Sequence, residues 1–397
     1  IGMNTGAYLT GDYNVGVGNS AVSPFFSLTN RTGSYNTGVG YSALGNITEG
    51  DYNIAVGSYA LSSTSTQGIR GDYNIAVGYN ALYGSSGNPV YASNNVGIGQ
   101  SALQVITGTS GSTTSGSHNC AIGYNALNDL TTGEDNIAIG NVAGEKLVST
   151  SHNVLIGDGA GKNSAVLSGC IAIGREALFT NSTSTVTEQI AIGYRALNGV
   201  STGLYNVAIG RQAGYYMTTG ARNVLMGLSA GQSITTGNYN TAIGGSAGST
   251  LTTGWYNTIL GYGAEPSSVT VTGEVVLGDS NVSTLRCNTQ TISALSDGRD
   301  KTDVEDLSLG LDFIDSLRPV KFKWETRDGS AKDGSYEAGF IAQDLQAAQS
   351  ESDADYLNMV LDTNPDRLEA AYGKLIPVLV QAVKDLKAEI ETLKANV

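Results

Sequence analysis

The chain has 397 residues, a formal net charge of −14, 53 glycines and only three cysteines. That acidity counts against nucleic acid as a partner and serves solubility, and Cys120, Cys170 and Cys287 are too few and too scattered for a disulfide framework or a zinc site. With no run of about 18 apolar residues and no signal-peptide pattern, no membrane insertion is expected.

Composition divides the chain at Ser296. Residues 296–397 carry 12 Lys+Arg and 21 Asp+Glu against 9 and 14 in residues 1–295, while 47 of the 53 glycines precede Ser296. Such a shift marks a change of architecture. The division expected is a repeat shaft over 1–280, a polar connector over 281–295 and a separate folding unit over 296–397.

The chain opens on Ile1-Gly2, inside a repeat, which suggests a fragment of a longer protein. From there to Gly278 an apolar-Gly pair recurs 16 times, at intervals of 17 residues from Gly123 onward apart from one of 19. Asn stands four residues before most of these glycines and Ala three residues after, giving T-T-G-x-x-N-x-A-I-G-x-x-A-L/G. A fixed short period means coils that pack on their neighbours. Seventeen residues leave room for two short strands and two turns, with N-x-A-I-G as a parallel strand covered on both faces. The glycine of Thr-Gly and those after the strand supply turns of positive φ. Stacked Asn side chains bond from coil to coil. At about 4.8 Å per coil the stack is a rod of roughly 75 Å.

One such coil buries an Ile or Val, two Ala and a Leu. At about 25 cal/mol per Å2 this does not order 17 residues at about 1 kcal/mol or more each, so several chains are expected to share a core, as a trimer. The fold class expected is therefore mainly β, a trimeric parallel β-roll or β-helix of about 17-residue coils followed by a small α+β domain. Longer coils at 24–30, 62–69, 84–92 and 104–115 are expected to emerge as surface loops, with Pro24-Phe25-Phe26 the most apolar. Tyr13, Tyr35, Tyr52, Tyr73, Tyr205, Tyr239 and Tyr256 precede the ladder Asn. They read as an aromatic ladder in preference to a platform for sugar rings. His118 and His152 fall two coils apart, about 10 Å, too far to share a metal. Asp51 and Asp72 read as turn residues with local hydrogen bonds. No carboxylate pair of a glycosidase is seen, and no cofactor is expected.

The repeats resemble the head repeats of trimeric autotransporter adhesins and those of phage tail fibres. That resemblance implies a left-handed β-roll with three chains per rod.

Beyond the shaft, residues 307–317 are predicted as helix, 320–324 as strand, 328–335 as loop, and 337–344 as a strand running into a helix. Leu368, Tyr372, Leu375, Leu379, Val383, Leu386, Ile390, Leu393 and Val397 make a heptad seam with one stutter, predicting a coiled coil over about 366–397, with Pro377 kinking it or opening a new first turn. The order S-D-x-R-x-K at 296–301, L-R-P-V-x-F-x-W at 317–324, G-F-I-A-Q-D-L at 339–345 and Y-x-x-L-I-P-x-L-V-x-A-V-K-x-L at 372–386 resembles the intramolecular chaperone domain of phage tail spikes and fibres, typified by the endosialidase tail spike.

What this resemblance implies is a homotrimer whose last domain guides folding of the shaft and then cuts itself off. Ser296 would be the nucleophile, Lys301 the general base, Leu295-Ser296 the bond cut, and Asp297 and Arg299 would shape the turn between the dyad residues. Residues five apart on a helix lie about 140° apart, so a turn is required, and Gly298 is expected to provide it. Asp300 departs from the apolar residue usual there. Taken alone, Ser296-Asp297 would equally cap a helix and Lys301 would be a solvated charge. Partners implied are a host cell-surface glycan or protein receptor and other tail proteins, reached through an N-terminal part not in view, with a virion location. The alternatives are a bacterial adhesin with a permanently attached cap and a polysaccharide-degrading spike.

Overall fold

The computed structural model describes residues 1–3, 10–23, 31–84, 89–110, 112, 115–179, 186–282, 284–286, 296–325, 334–362, 364–366 and 368–396. The chain forms two compact units, Ile1–Asp279 and Ser280–Val397.

The first unit is a parallel β-solenoid. Fifteen three-residue strands, from Val15–Val17 to Val275–Leu277, make one sheet whose order follows the sequence. Each strand pairs in register with the next, as Ile137 with Val154 and Ile139 with Ile156. The middle residue points inward, Ala138 being fully buried, whereas Ile137 and Ile139 on either side are 41% and 37% exposed. Within one chain the strand is thus covered on one face only, contrary to the sequence expectation, because alternation sends its two bulkier residues outward. The expected second strand is reduced, among the described residues, to bridges such as Ile47 with Ile69 and to one pair, Leu167–Ser168 with Val186–Thr187.

Three backbone devices turn each coil. The Gly ending the strand has φ near +130°, a region open essentially to glycine alone; a Cβ on Gly140 would lie 2.4 Å from the Gly157 oxygen. In the regular coils, as at Gly133, Gly203 and Gly237, the glycine of Thr-Gly is not at positive φ, a correction to the sequence reading, although Gly108 and Gly273 are. It is demanded instead by close stacking, since a Cβ on Gly203 would meet the Gly220 oxygen at 2.2 Å. Left-handed residues stand before the ladder Asn, such as Tyr52 at φ 56°, and also two and four residues after the motif glycine, such as Ser42 at 50° and Leu44 at 54°. That conformation costs about 1–2 kcal/mol in a bulky residue, and it aims the Tyr52 N–H at the Ser34 oxygen of the preceding coil, 3.1 Å away.

The Asn ladder lies inside. Asn223 Nδ2 donates to Asn206 Oδ1 at 3.0 Å and to the Gly237 oxygen at 2.9 Å, while its own Oδ1 accepts from Asn240 N and Nδ2. Gln189 takes over this role in its coil, donating to the Gly203 oxygen at 2.8 Å. Cys170 occupies the Asn position of the coil before it, and burial pushes its thiol up to about 11. Asp51 and Asp72 belong to a second, outer ladder: Asp72 Oδ1 accepts the Asp51 N–H at 2.7 Å, and Asp51 Oδ1 the Ser34 N–H at 2.6 Å. Their bonds run between coils, and the expectation of local turn bonds does not hold.

Core volume is conserved between positions. Where the strand centre is large, at Leu155 or Leu225, the position four after the motif glycine is Gly, at Gly144 and Gly161 or at Gly214 and Gly231. A Cβ on Gly231 would meet Leu225 Cδ2 at 2.6 Å. At that position in the last regular coil Glu265 turns back, accepting from the N–H and hydroxyl of both Ser249 and Thr250. The insertions are not simple surface loops. Ser62, Ser63, Ser65, Ile69, Val90 and Ile106 are buried, because these residues close the wall of their coils; residues 24–30 and 85–88 lie outside the described residues.

The second unit contains α1 (Leu311–Ser316), α2 (Ala342–Glu351) and α3 (Ile376–Ala395), with an antiparallel pair formed by Val320–Phe322 and Glu337–Gly339. Phe313, Leu345, Leu357, Met359, Leu375 and Val378 form its core. Pro377 sits in the first turn of α3, where its missing N–H has no bond to lose. The seam is helical only from there. Its earlier part is a short strand, Glu369–Ala370, and a turn, Tyr372–Leu375, so the expected start of the coiled coil at 366 is too early.

Candidate functional site

Ser296 and Lys301 are brought together. Asp297 caps a single 3-10 turn, Gly298–Asp300, its Oδ1 accepting the Arg299 N–H at 2.9 Å. The chain leaves the turn at Lys301, in extended conformation, and Lys301 Nζ donates to Ser296 Oγ at 2.7 Å. Arg299 Nε bonds both Asp297 oxygens, at 3.0 and 3.1 Å. This charge-assisted pairing holds the Asp297 carboxyl below the usual carboxylate range. Asp297 and Arg299 therefore shape the turn. Gly298 does not owe its place to a left-handed φ, and nothing lies within 4 Å of where its Cβ would stand. Asp300 forms no ion pair with Lys301 among the described residues, and both are exposed. Leu295 lies outside the described residues.

All of residues 296–306 are exposed in the single chain. A Ser-Lys pair in that state is well aimed but wet. Proton abstraction by lysine needs a site dry enough to favour the neutral amine.

The other three motifs clip onto one another in ways the sequence did not reveal. Arg318 Nε donates to Asp344 Oδ2 at 3.0 Å, joining the L-R-P and A-Q-D-L segments. The Tyr372 hydroxyl accepts the Phe340 N–H at 3.2 Å, and their rings meet edge-on at 5.6 Å. Gly339 makes room, since a Cβ there would lie 2.7 Å from that hydroxyl. Asp385 on α3 accepts the N–H of Leu311, the first residue of α1, at 3.0 Å. The signal was the placement of these polar residues inside otherwise apolar motifs; their pairing was not readable.

On the shaft, Tyr13, Tyr35, Tyr52 and Tyr73 stack with centroids 4.8–5.1 Å apart and planes within 14°. Farther along, Arg222 lies between the Tyr205 and Tyr239 rings, at 5.2 and 5.5 Å. His118 and His152 are not linked only by spacing. Asp135, on the coil between them, stands 3.9 Å from His118 Nδ1 and 3.6 Å from His152 Nε2.

Residues 296–353 match the family model described as chaperone of endosialidase. No curated protein and no solved structure matches the chain. A β-solenoid followed by such a domain fits a tail fibre or spike with a C-terminal chaperone.

Proposed function

We propose that the chain is part of a homotrimeric bacteriophage tail fibre whose C-terminal unit drives trimerisation and shaft folding and then removes itself by cleavage before Ser296. The observation that carries this reading is the 2.7 Å contact from Lys301 Nζ to Ser296 Oγ, at the first residue of the chaperone match.

Trimerisation is supported by two exposed apolar surfaces. One is the outward pair of most strands, for example Ile54 and Val56, or Met226 and Ile243 on neighbouring coils. The other is α3, where Leu379, Val383, Leu386, Ile390 and Leu393 are 43–66% exposed at heptad spacing. Second copies of the same chain are the natural cover, because both surfaces are continuous and the strip repeats with every coil. Held in register by α3, three chains begin a highly non-local fold at lower entropic cost.

In the cleavage step Lys301, neutral once its surroundings are dry, takes the Ser296 hydroxyl proton. Oγ attacks the Leu295 carbonyl carbon, the Leu295 C–N bond breaks, and the proton passes to the Ser296 nitrogen. Water then hydrolyses the ester, freeing a shaft that ends at Leu295. The neighbouring protomers supply the dryness, which makes cleavage a report of assembly. The released shaft engages a host cell-surface receptor.

Intact mass of freshly expressed protein beside Ser296→Ala tests this. Pieces of 295 and 102 residues from the wild type alone are expected. Two whole chains under conditions where the trimer forms would leave the C-terminal unit as a permanent cap.

A further inference from the structure

The stacked tyrosines at the start of the shaft cover one another's faces, so they offer edges only. A different aromatic surface lies in the later coils. Arg175, Arg195 and Arg211 follow the three successive strands Ile171–Ile173, Ile190–Ile192 and Val207–Ile209. Their guanidinium carbons all lie over the ring of Tyr194, at 5.9, 5.0 and 5.8 Å. Two carboxylates serve these three cations. Glu176 Oε2 takes Arg195 Nε at 2.5 Å and Glu176 Oε1 lies 3.4 Å from Arg175, while Asp158 is 3.9 Å from Arg175. Arg211 is exposed and has no carboxylate at ion-pair distance among the described residues. On its coil Tyr216 is 55% exposed, packed edge-on to Tyr215 at 4.7 Å.

This is a local excess of positive charge on a shaft that carries 8 Lys+Arg against 14 Asp+Glu over residues 1–280. The guanidinium fork matches carboxylate and phosphate. Packing against Tyr194 restrains the arginines beforehand, so less freedom is lost on binding. Tyrosine adds an amphipathic face suited to a sugar ring. Cations on successive coils, repeating at about 4.8 Å, suit a linear polymer with regularly spaced acid groups.

We infer that this patch binds an anionic polysaccharide, its acid groups on Arg175 and Arg211 and a sugar ring against Tyr216. The inference rests on the reading of the shaft as receptor-binding and gives that receptor a chemical class and a place.

The test uses the full chain with hyaluronate, dextran sulfate and neutral dextran as probes, in titration calorimetry at low and at 200 mM salt. Expected are binding to hyaluronate, none to dextran, and weakening with salt. Arg211→Gln with Arg175→Gln should lose at least tenfold in affinity, Arg211→Lys less, and Tyr216→Ala severalfold, with melting curves unchanged. Dextran sulfate separates the sources: binding to both charged polymers marks a general acid-group site, binding to hyaluronate alone a carboxylate site. Equal binding of dextran, no binding of either charged polymer, or wild-type affinity in the double variant overturns the proposal. Cell adsorption separates its failure from that of the receptor reading. Unchanged adsorption by the double variant removes the patch but keeps the receptor role, whereas patch-dependent polymer binding without adsorption to any cell does the reverse.

Discussion

Lys301 Nζ reaches Ser296 Oγ at 2.7 Å because Asp297 folds the intervening residues into one 3-10 turn. The dyad thus depends on a cap more than on glycine. Loss of an N-cap costs about 1 kcal/mol. Asp297→Ala is therefore expected to slow cleavage about fivefold, whereas Gly298→Ala should cleave at close to the wild-type rate. A time course of intact mass after synthesis measures both.

The inner ladder should be sensitive to loss and tolerant of length. Asn223→Ala strands Asn240 donors that have no water to turn to, at about 1–3 kcal/mol for each group left unpaired. A loss of about 3–5 kcal/mol per chain is expected in denaturant unfolding. Asn223→Gln should cost much less, because Gln189 already performs the same bonding two coils earlier.

Leu225 and Gly231 form a size-matched pair. Leu225→Ala should cost about 2–5 kcal/mol by opening a cavity. Gly231→Ala alone should also destabilise, through a clash with Leu225 and a left-handed φ of 54°. Combined, the two should cost less than their sum, by an interaction term of about 1 kcal/mol. Melting curves of the four proteins close the cycle.

Burial holds the Asp72 carboxyl above the usual carboxylate range, although the Asp51 N–H pulls it the other way. A carboxyl raised in the folded state lends its stability below the ordinary value of about 3.9 and loses it as pH climbs through the raised one. Asp72→Asn should therefore be the more stable protein at pH 7, by a few tenths of a kcal/mol given the partial exposure, with the gap closing toward pH 4. Asn238 shows that an amide oxygen serves there, accepting the Ala221 N–H at 2.8 Å.

The period, the parallel strand and the Asn ladder were legible because each is a one-dimensional pattern that the fold repeats in space. What escaped depended on backbone angles and on distance between coils. Gly203 looks like a turn residue, yet it is there because Gly220 lies against it. Asp51 looks locally bonded, yet its partner is on the preceding coil. At the candidate site the dyad could be aligned by motif, but the clips of Arg318 to Asp344 and of Tyr372 to Phe340 join residues 26 and 32 apart. No local pattern carries such pairings.

Because every strand from Val207–Ile209 to Thr258–Leu260 meets its neighbour in the same register and at a 17-residue interval, residues 207–223 are an exchangeable unit. Excising or duplicating them joins surfaces already made for each other, and the shaft shortens or lengthens by one graduation of about 4.8 Å. Length thus comes in whole-coil steps, and a change by one step leaves the pairing of the flanking coils as it was.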